Sequence, residues 1–174
     1  MIRQGGVVAY PTEAVYGLGC CPYYFPAVSR ILALKKRKIS KGLILVGSEL
    51  SQFERLADFG RIGDISPILA SWPGPVTWIV PARPDVPRWL TGDKAGIAIR
   101  VSAHPVVRSL CDRIGALVST SANPARLPPA RTALRVRNYF KNELDFILHA
   151  PVGPAREPSQ IRDALTGKLL RGAG

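Results

Sequence analysis

The residues of this chain that could do chemistry are mainly cations and hydroxyls, and they fall into three groups. The first is the cationic cluster Lys35–Lys38, with Lys41 just beyond it. The second is the segment Ser119–Asn123 (STSAN), and the third is Arg100, which ends the apolar run Ile97–Ile99. Lysine and arginine neutralise phosphates and carboxylates, and hydroxyls and amides orient them. The three groups together indicate an anionic ligand that is held electrostatically.

Lys35 is the member of the cationic cluster for which we predict a function. It lies seven residues after Val28, almost two helical turns, so it continues the apolar stripe of the preceding helix. A lysine in that position is expected to point into a cleft. Cations also stabilise the C-terminal end of a helix dipole, which explains Lys36 and Lys38 well but Lys35 less well.

The other two groups have simpler structural explanations that the residues alone do not exclude. A Ser/Asn-rich turn is common after any strand, although STSAN directly follows a predicted buried strand at a sheet edge of the kind that binds ligands. Arg100 could be an exposed strand end, or it could bind a carboxylate or phosphate through two hydrogen bonds.

Alternating strands and helices are predicted to position these groups. Hydrophobic periodicity and Gly/Pro punctuation favour a mixed, twisted sheet flanked by helices, in the α/β or α+β class. The predicted strands are 5–10, a short one within 12–19, 42–47, 76–80, 96–101, 116–118, 146–149, and a final pair around Ile161 and Leu169. The predicted helices are 26–36, 49–58, 64–71, 105–115 and 133–140.

Composition bounds the possible functions. The chain has 174 residues, of which 47% are hydrophobic, and 24 Lys and Arg residues against 12 acidic ones give a formal charge of +12. This excess implies nucleotide phosphates or a nucleic acid as the ligand, or a solubilising surface, and charge alone leaves these open. No apolar run has the length of a membrane span or a signal peptide, so a cytoplasmic location is expected.

Several common site types are not indicated by any motif. The sequence has no Walker phosphate loop and no dinucleotide-binding glycine fingerprint, and its carboxylates are scattered. Three cysteines (Cys20, Cys21, Cys111) and two histidines (His104, His149) show no metal-site spacing, so we predict no protein-built metal site.

Six segments occur together in an order that resembles a known family. They are PTEAVYGLG, LKKRKISKGLIL, WPGPVTWIVP, GIAIRV, STSAN and PSQIRDALTG. They resemble the YrdC-like family of threonylcarbamoyl-AMP synthases, in particular its short bacterial branch (TsaC), over nearly the whole chain. The resemblance implies a single YrdC-like domain over residues 1–174, with a twisted, mostly open α/β sheet around a positively charged concave cleft.

The resemblance also implies a reaction and its participants. L-threonine, bicarbonate and ATP would give threonylcarbamoyl-AMP and pyrophosphate. A separate complex would then transfer the threonylcarbamoyl group to adenosine 37 of tRNAs that read ANN codons. Mg²⁺ is expected, held mainly by phosphates and water. Binding of tRNA or double-stranded RNA could accompany this activity.

The site residues that the resemblance implies are carried over motif by motif. Lys35 and Arg37 would bind the ATP phosphates and act in catalysis. Further ATP contacts would be Ser119, Ser121, Asn123 and Arg171. The implied threonine contacts are Thr12, Arg100 and Ser159; without the motif context, Thr12 and Ser159 would be interpreted as strand-end hydroxyls bonded to local backbone.

The chain departs from the family pattern at several positions. Lys38 replaces a usual proline, Val46 stands where longer relatives have a histidine near threonine, and Pro129 replaces a serine. Relatives begin with a helix, and Arg3–Gly6 resembles the end of one. We therefore expect an upstream in-frame helix or a truncated start.

Two other functions compete with the synthase. One is a basic module that binds double-stranded RNA or tRNA without chemistry, although backbone binding requires only scattered cations and not ordered motifs. The other is an accessory domain for carbamoyl transfer from carbamoyl phosphate, because some larger hydrogenase-maturation proteins contain YrdC-like modules.

Overall fold

Nine strands form one mixed sheet in the computed structural model, which describes residues 1–157 and 159–172. The strand order is β7-β1-β2-β6-β3-β5-β4-β8-β9. The predicted class, a mixed sheet flanked by helices, is confirmed. The strands are β1 Val8–Pro11, β2 Tyr16–Cys20, β3 Ile44–Gly47, β4 Val76–Pro81, β5 Gly96–Val101, β6 Leu117–Ser121, β7 Phe146–Ile147, β8 Gln160–Asp163 and β9 Leu169–Arg171.

Parallel and antiparallel pairs are both present in the sheet. Strand β6 pairs antiparallel with both β2 and β3, whereas β3 and β5 are parallel neighbours with Val46 opposite Arg100. Strands β8 and β9 extend the sheet beyond β4. This order brings segments that are distant in the sequence onto adjacent strands.

Side-chain alternation separates a core face of the sheet from a second face. Successive residues of a strand point to opposite faces. On β5, Ile97, Ile99 and Val101 belong to the large hydrophobic core, so Ala98 and Arg100 point the other way. The second face is covered in part by a smaller cluster that includes Val46 and Cys111.

Five α-helices surround the sheet in the part of the chain that the structure describes. They are α1 Phe25–Leu34, α2 Ser66–Ala70, α3 Arg88–Thr91, α4 Pro105–Ile114 and α5 Ala133–Phe140. Helix α1 buries Ala27, Val28 and Ile31 in the large core, whereas α4 places Val107 and Cys111 in the smaller cluster. The two helices therefore lie on opposite faces of the sheet.

The predicted helix over 49–58 is wrong. Only Leu50–Phe53 forms a short 3-10 turn there. The N–H of Asp58 donates to the carbonyl of Pro81, and the carbonyl of Leu56 accepts from Arg83. Hydrogen bonds to the end of β4 thus take the place of the i to i−4 bonds that would continue a helix. The helix propensity of the residues does not reveal this competition from a distant segment. Sequence analysis also missed α3.

No helix within residues 1–157 and 159–172 combines the length and apolar character needed to cross a membrane.

Candidate active site

A cavity of about 390 Å³ lies on the second face of the sheet. Its floor is formed by every second residue of three neighbouring strands, because successive side chains of a strand point to opposite faces of the sheet. It is also lined by Arg37, Lys41, Lys94 and Arg171, together with the carboxylates Glu13 and Glu157. The floor residues are Ile44 and Val46 on β3, Gly96, Ala98 and Arg100 on β5, and Ser119 and Ser121 on β6.

Lys35 joins the end of α1 to the STSAN segment. Its Nζ donates to the carbonyl and Oγ of Ser121, at 2.5 and 3.3 Å. It also donates to the carbonyl and Oδ1 of Asn123, at 2.8 and 2.7 Å. The Oγ of Ser121 in turn donates to Oδ1 of Asn123 at 2.7 Å. The ammonium group thus fixes the backbone and the side chains of this segment.

Lys35 is buried, as the apolar stripe predicted, with 9% of its surface exposed. Burial, and secondly the guanidinium of Arg37, lower the pKa of Lys35 to about 8. Because α1 packs on the core face, Lys35 reaches Ser121 from the end of strand β6. Ser121 lines the cavity, whereas Lys35 and Asn123 stand behind it.

Arg37 lines the cavity beside the STSAN segment. Its Nε and Nη2 donate to the carbonyl of Gly42 at 3.1 and 2.8 Å. This double contact orients the guanidinium and leaves other N–H groups for a ligand. Burial lowers the pKa of Arg37, as it does that of Arg171, yet arginine stays protonated at neutral pH.

Thr12 and Ser159 line the same cavity and also bond to protein groups. The hydroxyl of Thr12 donates to the carbonyl of Val15 at 2.7 Å, the local backbone bond that its strand-end position favours. Ser159 shares a 2.9 Å hydrogen bond with the hydroxyl of the fully buried Thr77. Each hydroxyl oxygen keeps acceptor capacity toward the cavity. Arg171 donates from Nη2 to the carbonyl of Ser159 at 3.0 Å.

Arg100 is paired with Glu13, a residue that sequence analysis missed. The Nη1 of Arg100 lies 3.2 Å from Oε2 of Glu13. The Oε1 of Glu13 accepts from the hydroxyl of Ser102 at 2.6 Å and from the N–H of Ala103 at 3.2 Å. The only sequence signal for Glu13 was its place in PTEAVYGLG, beside Thr12.

The structure therefore gathers the predicted site residues around one region. Seven of them line the cavity, and Lys35 and Asn123 meet immediately behind it through Ser121. Two positions where the chain departs from the family pattern, Val46 and Pro129, also line it. The seven are Thr12, Arg37, Arg100, Ser119, Ser121, Ser159 and Arg171.

The described residues offer no cage for a metal ion. No group of three or more His, Cys, Asp or Glu side chains that could hold a metal occurs in 1–157 and 159–172. Of the two cavity carboxylates, Glu13 is already occupied by Arg100, Ser102 and Ala103. An octahedral Mg²⁺ site built by protein carboxylates does not fit this arrangement.

Comparison with known proteins places these residues in a family. The Sua5/YciO/YrdC family model, described as "Telomere recombination", matches residues 1–173. A threonylcarbamoyl-AMP synthase of Coxiella burnetii (strain RSA 493 / Nine Mile phase I) is 49% identical over 171 residues, covering 98% of this chain and 92% of the relative. A threonylcarbamoyl-AMP synthase of Pseudomonas aeruginosa (strain UCBPP-PA14) is 49% identical over 173 residues, covering 99% of this chain and 94% of the relative.

A solved structure shows the same fold. P. abyssi Sua5 complexed with L-threonine superposes with a TM-score of 0.90 at 32% identity. The match covers 99% of this chain and 52% of that one, so the chain spans about half the length of the solved protein.

Proposed function

This chain belongs to the Sua5/YciO/YrdC family, and from that premise we propose that it is a threonylcarbamoyl-AMP synthase. The reaction consumes L-threonine, bicarbonate and ATP and yields threonylcarbamoyl-AMP and pyrophosphate. The enzyme class is a nucleotidyltransferase, because an adenylyl group is transferred to the carbamate. Near-complete coverage of two relatives that carry this name supports the synthase over the RNA-binding and accessory-domain alternatives.

The observation that carries the proposal is the contact between Lys35 and the STSAN segment. The N–H groups of the buried Lys35 ammonium are engaged by Ser121 and Asn123, so Lys35 would bind a phosphate by exchanging one of these contacts. It lies beside a cavity that Arg37 and Arg171 line, and this concentration of positive charge is suited to a polyphosphate. Lys35 and Arg37 would bind the ATP phosphates. Ser119, Ser121, Asn123 and Arg171 would complete the nucleotide contacts.

The amino acid would bind at the opposite side of the cavity floor, on β5. Arg100 donates to the threonine carboxylate. Thr12 and Ser159 accept from the ammonium or hydroxyl of threonine through oxygens that remain available beside their present bonds. The two substrates then lie on one face of the sheet, which converts their encounter into a reaction within one complex.

The chemical step needs no protein nucleophile. The ammonium of threonine loses a proton to water, and the resulting amine combines with carbon dioxide derived from bicarbonate to form a carbamate and release a second proton. A carbamate oxygen attacks the α-phosphorus of ATP, a new P–O bond forms, and the bond to pyrophosphate breaks. Lys35, Arg37 and Arg171 neutralise the charge that develops on the phosphates.

The proposal also includes Mg²⁺ and the downstream partners. Since the described carboxylates do not fit a metal cage, Mg²⁺ would enter with ATP, held by phosphates and water. The product would be passed in the cytoplasm to a separate complex that modifies adenosine 37 of tRNAs reading ANN codons. The formal charge of +12 is compatible with a transient contact with tRNA.

The test is the release of pyrophosphate from ATP by the purified protein. Release should require both L-threonine and bicarbonate, and Lys35→Ala should abolish it in a folded protein. Pyrophosphate release that ignores threonine, or binding of double-stranded RNA with no turnover under any condition, would refute the proposal.

A further inference from the structure

We propose that Glu13 is a positioning residue that orients Arg100 for the carboxylate of the amino-acid substrate. This inference rests on the proposed function, in which Arg100 binds that carboxylate. Glu13 would not touch the substrate. It would act by holding the guanidinium in place and by determining which of its N–H groups face the cavity.

The Glu13 contact crosses a large part of the sheet. Glu13 lies in the loop between β1 and β2, whereas Arg100 lies on β5, and strands β6 and β3 stand between β2 and β5. With adjacent strands about 4.8 Å apart, the contact bridges on the order of 14 Å of sheet. The loop is held in place, because the carbonyls of Thr12 and Glu13 accept from the N–H groups of Gly153 and Ala155, at 2.9 and 3.0 Å.

The carboxylate of Glu13 is fixed through hydrogen bonds to Oε1, whereas Oε2 makes no hydrogen bond among the described residues and is held by its ion pair with Arg100. Oε1 accepts from Ser102 and Ala103, and Oε2 faces Arg100. Burial by itself would raise the pKa of Glu13, but Arg100 and the hydrogen bond from Ser102 hold this pKa below its usual value. Glu13 is thus an ionised, immobile partner for the guanidinium.

Arg100 keeps donors that its protein partner does not use. The residue is 7% exposed and lines the cavity. Its Nε is buried and has no hydrogen-bond partner within residues 1–157 and 159–172. A buried, unpaired donor is costly, and a small rotation of the guanidinium toward the cavity would let a substrate carboxylate bind Nε and the neighbouring terminal nitrogen bidentately. Glu13 on Nη1 leaves that pair of donors free.

Substitutions at Glu13 have distinct expected effects. In Glu13→Gln, the amide oxygen can still accept from Ser102 and Ala103, but the amide N–H₂ then faces Nη1, donor against donor. Glu13→Asp keeps the negative charge on a side chain one methylene shorter. Glu157→Gln is the matched control, since Glu157 is an exposed carboxylate of the same cavity with no hydrogen bond or ion pair among the described residues.

The experiment measures binding of L-threonine and of L-threoninol, in which an alcohol replaces the carboxylate, by calorimetry with each full-length variant. For Glu13→Gln, threonine affinity should fall by about 10- to 100-fold, by analogy with the loss seen when a residue that orients a metal-ligating side chain is removed. Threoninol affinity should change by less than about threefold. Glu13→Asp should recover part of the loss, and Glu157→Gln should match the wild type for both ligands.

The outcomes separate this inference from the proposed function. If the wild type binds no threonine, the proposed function and this inference both fail. If the wild type binds threonine and Glu13→Gln binds it equally well, the inference alone fails. An equal loss for threonine and threoninol would also overturn it, because a merely structural role for Glu13 would not depend on the ligand carboxylate. If Glu13→Gln does not fold, Glu13→Asp is used instead. A loss of affinity that is larger for threonine than for threoninol then supports the inference, and an equal loss overturns it.

Discussion

Replacing Lys35 with methionine should separate catalysis from folding. Methionine keeps an unbranched side chain of similar length and removes the ammonium. Wild-type Lys35 is 9% exposed and contacts four oxygens of Ser121 and Asn123. The substitution therefore removes the group that connects α1 to the STSAN segment and leaves the apolar stem in place.

Two opposing terms determine the effect on stability. Burial and the proximity of Arg37 lower the pKa of Lys35 from 10.5 to about 8, which corresponds to at most about 3 kcal/mol against the charged side chain, less after solvent screening. Hydrogen bonds to a charged group contribute about 1.5–3 kcal/mol each. Methionine removes both terms. Because the three N–H groups of the ammonium together contribute about 4.5–9 kcal/mol, more than the relief from the buried charge, the free energy of unfolding should fall by about 1.5–6 kcal/mol.

Catalysis should respond much more strongly. Removing one preorganised donor from a site where negative charge develops typically costs about 10²–10³ in kcat. We expect at least that loss in threonine- and bicarbonate-dependent pyrophosphate release. Urea unfolding followed by circular dichroism measures the stability of the same preparations.

Lys36→Met is the matched control for this prediction. Lys36 is the next residue, is exposed, and already adopts a positive φ of 47°, so the substitution removes one charge without touching Ser121 or Asn123. It should keep activity within about twofold of the wild type. Retention of more than a tenth of the activity in Lys35→Met would refute the catalytic assignment. A loss of more than about 6 kcal/mol of stability, beyond what the hydrogen bonds of Lys35 account for, would show that Lys35 holds the fold instead.

Three further predictions follow from the structure. Since Lys35 has a pKa of about 8 and must be charged to bind phosphate, kcat/KM for ATP should fall as pH rises through about 8, whereas kcat at saturating ATP should fall only at higher pH; a flat profile would contradict this. Gly42→Ala should lower the free energy of unfolding, measured in urea, by about 1–3 kcal/mol. Gly42 has φ +62°, and a Cβ there would lie 2.7 Å from the nearest backbone oxygen. The control Gly63→Ala, whose Cβ would meet nothing within 4 Å among the described residues, should leave the stability unchanged. Burial raises the pKa of Cys20 and Cys111 to about 12, so iodoacetamide at neutral pH should leave both unmodified in the native protein and alkylate both after denaturation; rapid native labelling of either would be inconsistent with the structure.

Local patterns in the sequence were sufficient for most of the elements. Apolar runs bounded by glycine and proline predicted the strands that became β3, β4 and β5, and Pro105 and Gly115 marked the ends of α4. These signals depend on residues within one or two turns of each other. The failure at 49–58 arose where backbone bonds to a distant strand end took the place of a local helix.

The sequence also determined which residues are candidates for chemistry, and for Lys35 it determined the direction of the side chain. Helical periodicity placed Lys35 on the apolar stripe of α1, and the structure confirms that it is buried. The roles of the candidate residues in binding and catalysis stay predictions until the pyrophosphate and binding assays are done.

Only the tertiary structure decided which candidates meet and which partners they have. Lys35 and Asn123 are 88 residues apart in the chain, and Glu13 approaches Arg100 across two intervening strands. Alternation along a strand shows which side chains share a face, but not which strands become neighbours. The neighbours are determined by the burial of all the apolar faces at once, which is a property of the whole chain. No local pattern in the sequence therefore predicted the Glu13–Arg100 pair or the Ser159–Thr77 hydrogen bond.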